Sequence, residues 1–285
     1  MRRTYISPLD LPESTIGRFS ITKEIKPAST PMQVVSGKTA IFHKGQRTSV
    51  KFDGDRIVHL LVETGKGMWM SDSPEEMEEI YDVIPKLKGS VLVGGLGLGL
   101  LPKMLDDNKD VTHMTVVEKE SDILDLVRPH LYLKKLNVVI QADLFDYLQC
   151  STVTYDSAYY DIWAPTGEDI LFTHISPLRH LSQGKIRQNR IHCWQEEVML
   201  GQLAMSLDTF LLMPQSILGM DWVAFDRFYG VSRISWPFYN WYRQEKPDSP
   251  TAHTMATYYA KHYPFLSWHN KYKTWRKYLT PNGGT

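Results

Sequence analysis

Only two cysteines, Cys150 and Cys193, occur in 285 residues, far apart and with no second pair. That excludes a disulfide framework and a zinc-ligand signature, so no metal is expected. No stretch approaches the ~20 apolar residues of a membrane span. The segment after Met1 runs into Pro8 and Asp10 without the apolar run of a secretory leader. The expectation is a reducing, cytoplasmic setting with no membrane partner. Charge of one sign is also missing: 32 Lys and Arg balance 32 Asp and Glu. No global attraction to nucleic acid or membrane follows. There is no internal repeat and no low-complexity tract. What remains, 42% hydrophobic and 22% charged residues, is the composition of an ordinary globular chain with ample core.

Three regions differ in texture. Residues 1–70 form a small β-region: Phe19 to Ile25, Met32 to Phe42, Thr48 to Phe52 and Ile57 to Val62 alternate or carry β-branched residues. Turn signals at Ser36-Gly37, Lys44-Gly45, Asp53-Gly54 and Gly65-Lys66-Gly67 separate them. Residues 71–200 alternate helical and strand patterns, which predicts βαβ units and a parallel sheet. Ser73 caps a helix with Pro74 at its first position and carboxylates in its first turn, running to about Leu87. Further helices are expected near 100–106, 121–130 and 168–181. Strands are expected at Val91–Val93, Met114–Val117, Asn137–Gln141, Ser157–Tyr160 and Arg190–Trp194. Residues 201–285 hold five of the eight tryptophans and show no clear strand pair. The expected architecture is α/β: a Rossmann-like, doubly wound, mostly parallel sheet, with the β-region before it and an aromatic, mainly helical extension after it.

The strand at Val91–Val93 breaks into Gly94, Gly95, Gly97 and Gly99. Glycines there allow positive φ and close backbone approach, as in a nucleotide-binding turn. The dinucleotide spacing G-x-G-x-x-G fails, because its third position is Leu100 counted from Gly95 and Pro102 counted from Gly97. The spacing left, G-G-x-G-x-G, points to an adenosyl cofactor. In a parallel α/β sheet the ligand sits beyond the carboxyl ends of the strands. The second strand ends on Glu118, where a carboxylate can accept from two ribose hydroxyls. The third ends near Asp143, placed to accept from an adenine amino group, and the fourth ends at Asp161. A strand-end carboxylate on its own is as readily a helix cap.

Residues 68–200 resemble a class I S-adenosylmethionine-dependent methyltransferase domain of the spermidine-synthase-like branch, and are similar to methyltransferase-like proteins of phages and bacteria. The resemblance rests on Val-Leu-Val-Gly-Gly-Leu-Gly-Leu-Gly (91–99), Val-Val-Glu-Lys (116–119), Ala-Asp-Leu-Phe (142–145), Tyr-Tyr-Asp-Ile-Trp (159–163) and a fifth strand ending in Gln195. It implies S-adenosylmethionine as cofactor, with contacts from Gly94, Gly95, Gly97, Gly99, Glu118, Asp143 and Leu144. The spermidine synthases carry an acid inside the glycine turn and an Asp-x-x-Asp-Pro segment after the fourth strand. Here Asp161 and Pro165 match, but Ala164 replaces the second aspartate, and Leu96 and Leu98 fill the turn. At about 1.5–3 kcal/mol per charged hydrogen bond, losing two carboxylates disfavours a dicationic polyamine.

Methyl transfer demands less: the acceptor must be aligned with the sulfonium methyl, and a carboxylate can take its proton. Asp161 is the candidate catalytic group, or an orienter of the methionine amine. Trp163 and Gln195 are candidate acceptor contacts, Trp163 by stacking on a planar group or else by plain loop packing. The acceptor, whether small molecule, protein or nucleic acid, is not named by any motif. The Asn/Asp-Pro-Pro-Tyr signature of base-methylating enzymes is missing, so nucleic acid is not favoured. His174, His180 and His192 read as packing residues. From His253 onward Lys261, Lys271, Lys273, Arg276 and Lys277 interleave with aromatics and no acid. That alternation suits single-stranded nucleic acid, but Trp268, Tyr272, Trp275 and Leu279 fit one face of a helix packed on the body, and a homo-oligomer or protein-partner surface is a further reading. The alternatives to a methyltransferase are an aminopropyltransferase and a non-catalytic binding or assembly module of the same fold.

Overall fold

The computed structural model describes residues 5–28, 32–36, 46–50, 52, 54–163 and 170–199. The expectations placed on Ala164, Pro165 and residues 201–285 lie outside them. The chain divides into two compact units. The larger contains both sheets with their helices. The smaller is described through residues 170–180 and 195–199.

The N-terminal part of the larger unit is a four-stranded antiparallel sheet of β1 (Ser14–Ile16), β2 (Phe19–Lys26), β5 (Arg56–Glu63) and β6 (Gly67–Ser71), in the order β1-β2-β5-β6. A separate hairpin pairs β3 (Met32–Ser36) with β4 (Gln46–Val50). Period-2 alternation turns Phe19, Ile21 and Leu61 inward, each at most 1% exposed. Three short elements were not expected. β1 has three residues, β6 is built of Gly-Met-Trp-Met-Ser, and a helix of seven residues follows Asp143. Each is too short, or too poor in β-branched residues, to show a period.

The second part begins with α1 (Pro74–Val83), whose Ser73 cap and Pro74 match the expectation. It buries Met77, Ile80, Tyr81 and Val83, one stripe at helical spacing. Five parallel strands follow: β7 (Gly89–Gly94), β8 (Val111–Glu118), β9 (Leu136–Gln141), β10 (Ser157–Tyr160) and β11 (Ile191–Cys193). The sheet order is β11-β10-β7-β8-β9. The chain therefore builds outward from β7 to β9, then returns to the other side of β7 with β10. That reversal makes a switch point between β7 and β10. α2 (Leu100–Asp106), α3 (Ser121–Val127) and α4 (Leu144–Cys150) connect the strands, and in the smaller unit α5 (Ser176–Leu181, in that unit through His180) follows a π-helical turn at Leu171–Ile175. The central strand is apolar on both faces, with Val91, Leu92 and Val93 at most 1% exposed, as a covered parallel strand requires. This is the expected Rossmann-like sheet, with a small antiparallel sheet before it.

Both parts share one apolar cluster, in which Phe19, Ile21 and Leu61 of the first sheet join Val91, Val93 and Met114 of the second. At the β1–β2 turn the Arg18 N–H donates to Asp122 at the start of α3, and its guanidinium pairs with Glu63 and Glu120. At the opposite edge of the parallel sheet from the glycine turn, Ser157 is fully buried. Its hydroxyl donates to the Lys88 carbonyl (2.8 Å) and accepts the Lys88 N–H (2.9 Å). Ser157→Ala removes both partners at once. It should lower the unfolding free energy by about 1–3 kcal/mol in denaturant titration, because the Lys88 backbone groups are only part-exposed.

Candidate functional site

The carboxyl ends of β7, β8 and β10 converge where the sheet order reverses. After β7 the chain enters the glycine turn, and Gly95 has φ +94°. A side chain at Gly95 would overlap the carbonyl oxygen of Asp161. The Asp161 N–H in turn donates to the Gly94 carbonyl (2.9 Å). The first and fourth strand ends are thus pressed together backbone to backbone, and only glycine permits it. Leu144, at the start of α4, lies against Gly94, as does the ring of Tyr160. Gly94, Gly95, Asp161 and Leu144 are therefore one cluster.

Glu118 ends β8, as expected, and is 7% exposed. Its carboxylate accepts the Leu96 N–H on one oxygen and the Glu120 N–H on the other, both at 2.8 Å. It is the brace of the glycine turn. Two further turn amides also have partners inside the protein: Gly95 donates to Val117, and Gly99 to Leu96. Leu96 and Leu98 are 5% and 0% exposed and belong to the core.

Asp143 is bound up locally. One oxygen caps α4 by accepting the Phe145 N–H (2.8 Å), and the other pairs with Lys119 (3.0 Å). Burial pushes its carboxyl up, but the hydrogen bonds from Lys119 and Phe145 and the lysine charge together hold it below the ordinary range. Trp163 is 4% exposed. Gln195 does not end the fifth strand. β11 stops at Cys193, and Gln195 lies beyond it in a turn with φ +55°. Gln195 belongs to the smaller unit. There Arg179 and Glu196 form a buried two-point ion pair at 3.1 and 2.8 Å.

The carboxylate of Asp161 has no hydrogen-bond or ion-pair partner among the described residues. Burial raises its carboxyl well above the usual range, and the nearby charges of Glu76, Glu79 and Glu118 raise it further. Tyr159 is raised too, first by burial and then by Asp161. Glu76 and Glu79 had not been expected at the site. Read along the sequence they are first-turn and mid-helix carboxylates of α1, and the only hint is the acidic run 75–79 just before the glycine strand. Glu76 accepts both the N–H and the hydroxyl of Ser71 (2.8 and 2.9 Å), and Glu79 accepts the indole N–H of Trp194 (2.8 Å). Among the described residues no group of three or more His, Cys, Asp and Glu is arranged to hold a metal ion, and no helix is long and apolar enough to cross a membrane.

No protein-family model matches the chain, and no curated protein matches it. Among solved structures it is similar to an S-adenosylmethionine-dependent methyltransferase from Mesorhizobium loti, at 15% identity over 39% of this chain and a TM-score of 0.30. It is similar to spermidine synthase from Thermotoga maritima, at 15% identity over 57% of this chain and a TM-score of 0.33. It is also similar to an amino pentose methyltransferase from Micromonospora echinaspora, solved with S-adenosylmethionine bound, at 16% identity over 38% of this chain and a TM-score of 0.30. The matched parts span 48%, 63% and 45% of those three chains.

Burial, offset in part by the Ser71 hydrogen bonds, raises the Glu76 carboxyl to about 7. A carboxyl raised by folding contributes its stabilisation in full below its unfolded value, near 4.5, and loses it as pH rises through about 7. Glu76→Gln keeps an acceptor for Ser71 and removes the ionisation. Thermal unfolding followed from pH 5 to pH 8 should therefore fall less steeply in the variant, which gains on wild type at the alkaline end.

Proposed function

We propose that this chain is an S-adenosylmethionine-dependent methyltransferase whose cofactor lies along the carboxyl edge of β7, β8 and β10. The observation that carries the reading is the joining of the glycine turn to Asp161 at the switch point, with Glu118 bracing the turn from the next strand. The residues present suit this cofactor. The amides of Gly95, Leu96 and Gly99 are already taken, which does not suit a phosphate-bearing dinucleotide. Carboxylates crowd the edge and favour a positively charged ligand.

Gly94, Gly95, Gly97, Gly99 and Leu144 would form the surface against the cofactor. Glu118 has lone pairs left for ribose hydroxyls, and Asp143 for an adenine amine. When bound, the cofactor supplies a methyl group activated by a sulfonium. Asp161 would hold the acceptor by its exchangeable hydrogen, and its carboxylate would take that proton as the acceptor gains the methyl group and the S–CH₃ bond breaks, leaving a neutral thioether. A carboxyl with a raised pKa is a stronger base than an exposed aspartate once ionised. Trp163 remains the proposed acceptor contact, and the cytoplasm the proposed setting.

Glu76 and Glu79 favour a second reading. They return to the neighbourhood of Asp161 the negative charge that Leu96, Leu98 and Ala164 take away, and so keep aminopropyl transfer to an amine in play. Isothermal titration with S-adenosylmethionine, S-adenosylhomocysteine and decarboxylated S-adenosylmethionine separates the two. The first two should bind better than the third. Preference for the decarboxylated form would establish the second reading, and no heat from any of them with folded protein would overturn both. Glu118→Ala should abolish cofactor binding. Asp161→Asn should leave binding within about threefold and slow any turnover by 10²–10⁴, the usual range for removing a general base.

A further inference from the structure

The backbone N–H of Leu98, inside the glycine turn, donates to the thioether sulfur of Met70 at 3.1 Å. Met70 is not part of the Rossmann-like sheet. It lies on β6, the last strand of the antiparallel sheet. The same sulfur rests on Gly97, where φ is +51° and a β-carbon would overlap it. The glycine at 97 is therefore demanded by a protein side chain. On either side, Leu96 and Leu98 are buried at 5% and 0% exposure, so the turn cannot lift away without exposing both.

A thioether is a weak, neutral and polarizable acceptor. It satisfies the Leu98 amide without bringing a charge or a carbonyl dipole into the turn. With Leu96 held by Glu118 and Leu98 by Met70, the turn is pinned at alternate residues from two different sheets. We propose that Met70 is a positioning residue for the cofactor site, fixing the path of the turn at Gly97–Leu98. This rests on the reading of the turn as the cofactor-binding element. Leucine at position 70 fills similar volume but offers no acceptor, and leaves the buried Leu98 amide without a partner.

The test compares Met70→Leu with wild type and with Met114→Leu, the same swap at a fully buried core position of β8. In the ligand-free protein, amide hydrogen exchange at Leu98 should accelerate roughly 3- to 10-fold in Met70→Leu, the range of one net hydrogen bond, while amides of β7 and β8 keep their protection. Titration with S-adenosylmethionine should show a similar 3- to 10-fold loss of affinity in Met70→Leu, and none in Met114→Leu. Unchanged Leu98 exchange overturns the proposal. So does an affinity loss shared by Met114→Leu, or one accompanied by faster exchange throughout the sheet, since either marks general loosening. If wild type binds no S-adenosylmethionine, the cofactor reading fails, while the exchange measurement still decides whether Met70 pins the turn.

Discussion

The site depends on one contact, the backbone of Gly95 lying against the backbone of Asp161 where two neighbouring strands end. A parallel sheet holds its strands nearly 5 Å apart. Two loops leaving adjacent strands can meet only where one of them lacks a side chain. Gly95 supplies that gap, and the Asp161 amide closes it with a hydrogen bond to Gly94. With the backbone so fixed, the Asp161 side chain has little choice of surroundings. Among the described residues it faces carboxylates and no donor. Its raised pKa follows first from burial and then from this crowding, and any ligand that brings a proton or a positive charge relieves it.

The framework was legible in the sequence because it rests on short-range signals of high contrast. Val91–Val93 running into glycines, Ser73 followed by Pro74, and Glu118 after a β-branched strand each mark an element end by a mechanism that works locally. All five parallel strands lie where those signals put them. What could not be read was long-range. Glu76 and Met70 carry no local mark of function. They matter because α1 and β6 pack back toward a turn further along the chain, 28 residues on in the case of Met70 and Leu98, and no pattern along the chain reports that distance. The ambiguity noted for strand-end carboxylates also resolves differently at each. Glu118 braces a loop, Asp143 caps a helix, and Asp161 has no hydrogen-bond partner among the described residues.

In Glu118 and Asp143 the structural role leaves room for the proposed binding role in one carboxylate. An ionised carboxylate has about four acceptor positions. Glu118 uses two on backbone amides, and Asp143 uses two on the Phe145 amide and Lys119. The rigidity those bonds confer is what makes the remaining lone pairs useful, because a fixed acceptor loses little freedom when a ligand arrives.

The sulfur of Met70 bears on the modularity of the chain. Seen as a diagram, the antiparallel sheet is an appendage that precedes a self-sufficient Rossmann-like fold. Yet a fragment beginning at residue 71 would leave the Leu98 amide bare and a hollow over Gly97. Recombination that exchanged the front sheet for another would have to carry a soft acceptor to the same point. The two sheets therefore have to change together, and the boundary between them is a seam within one working part.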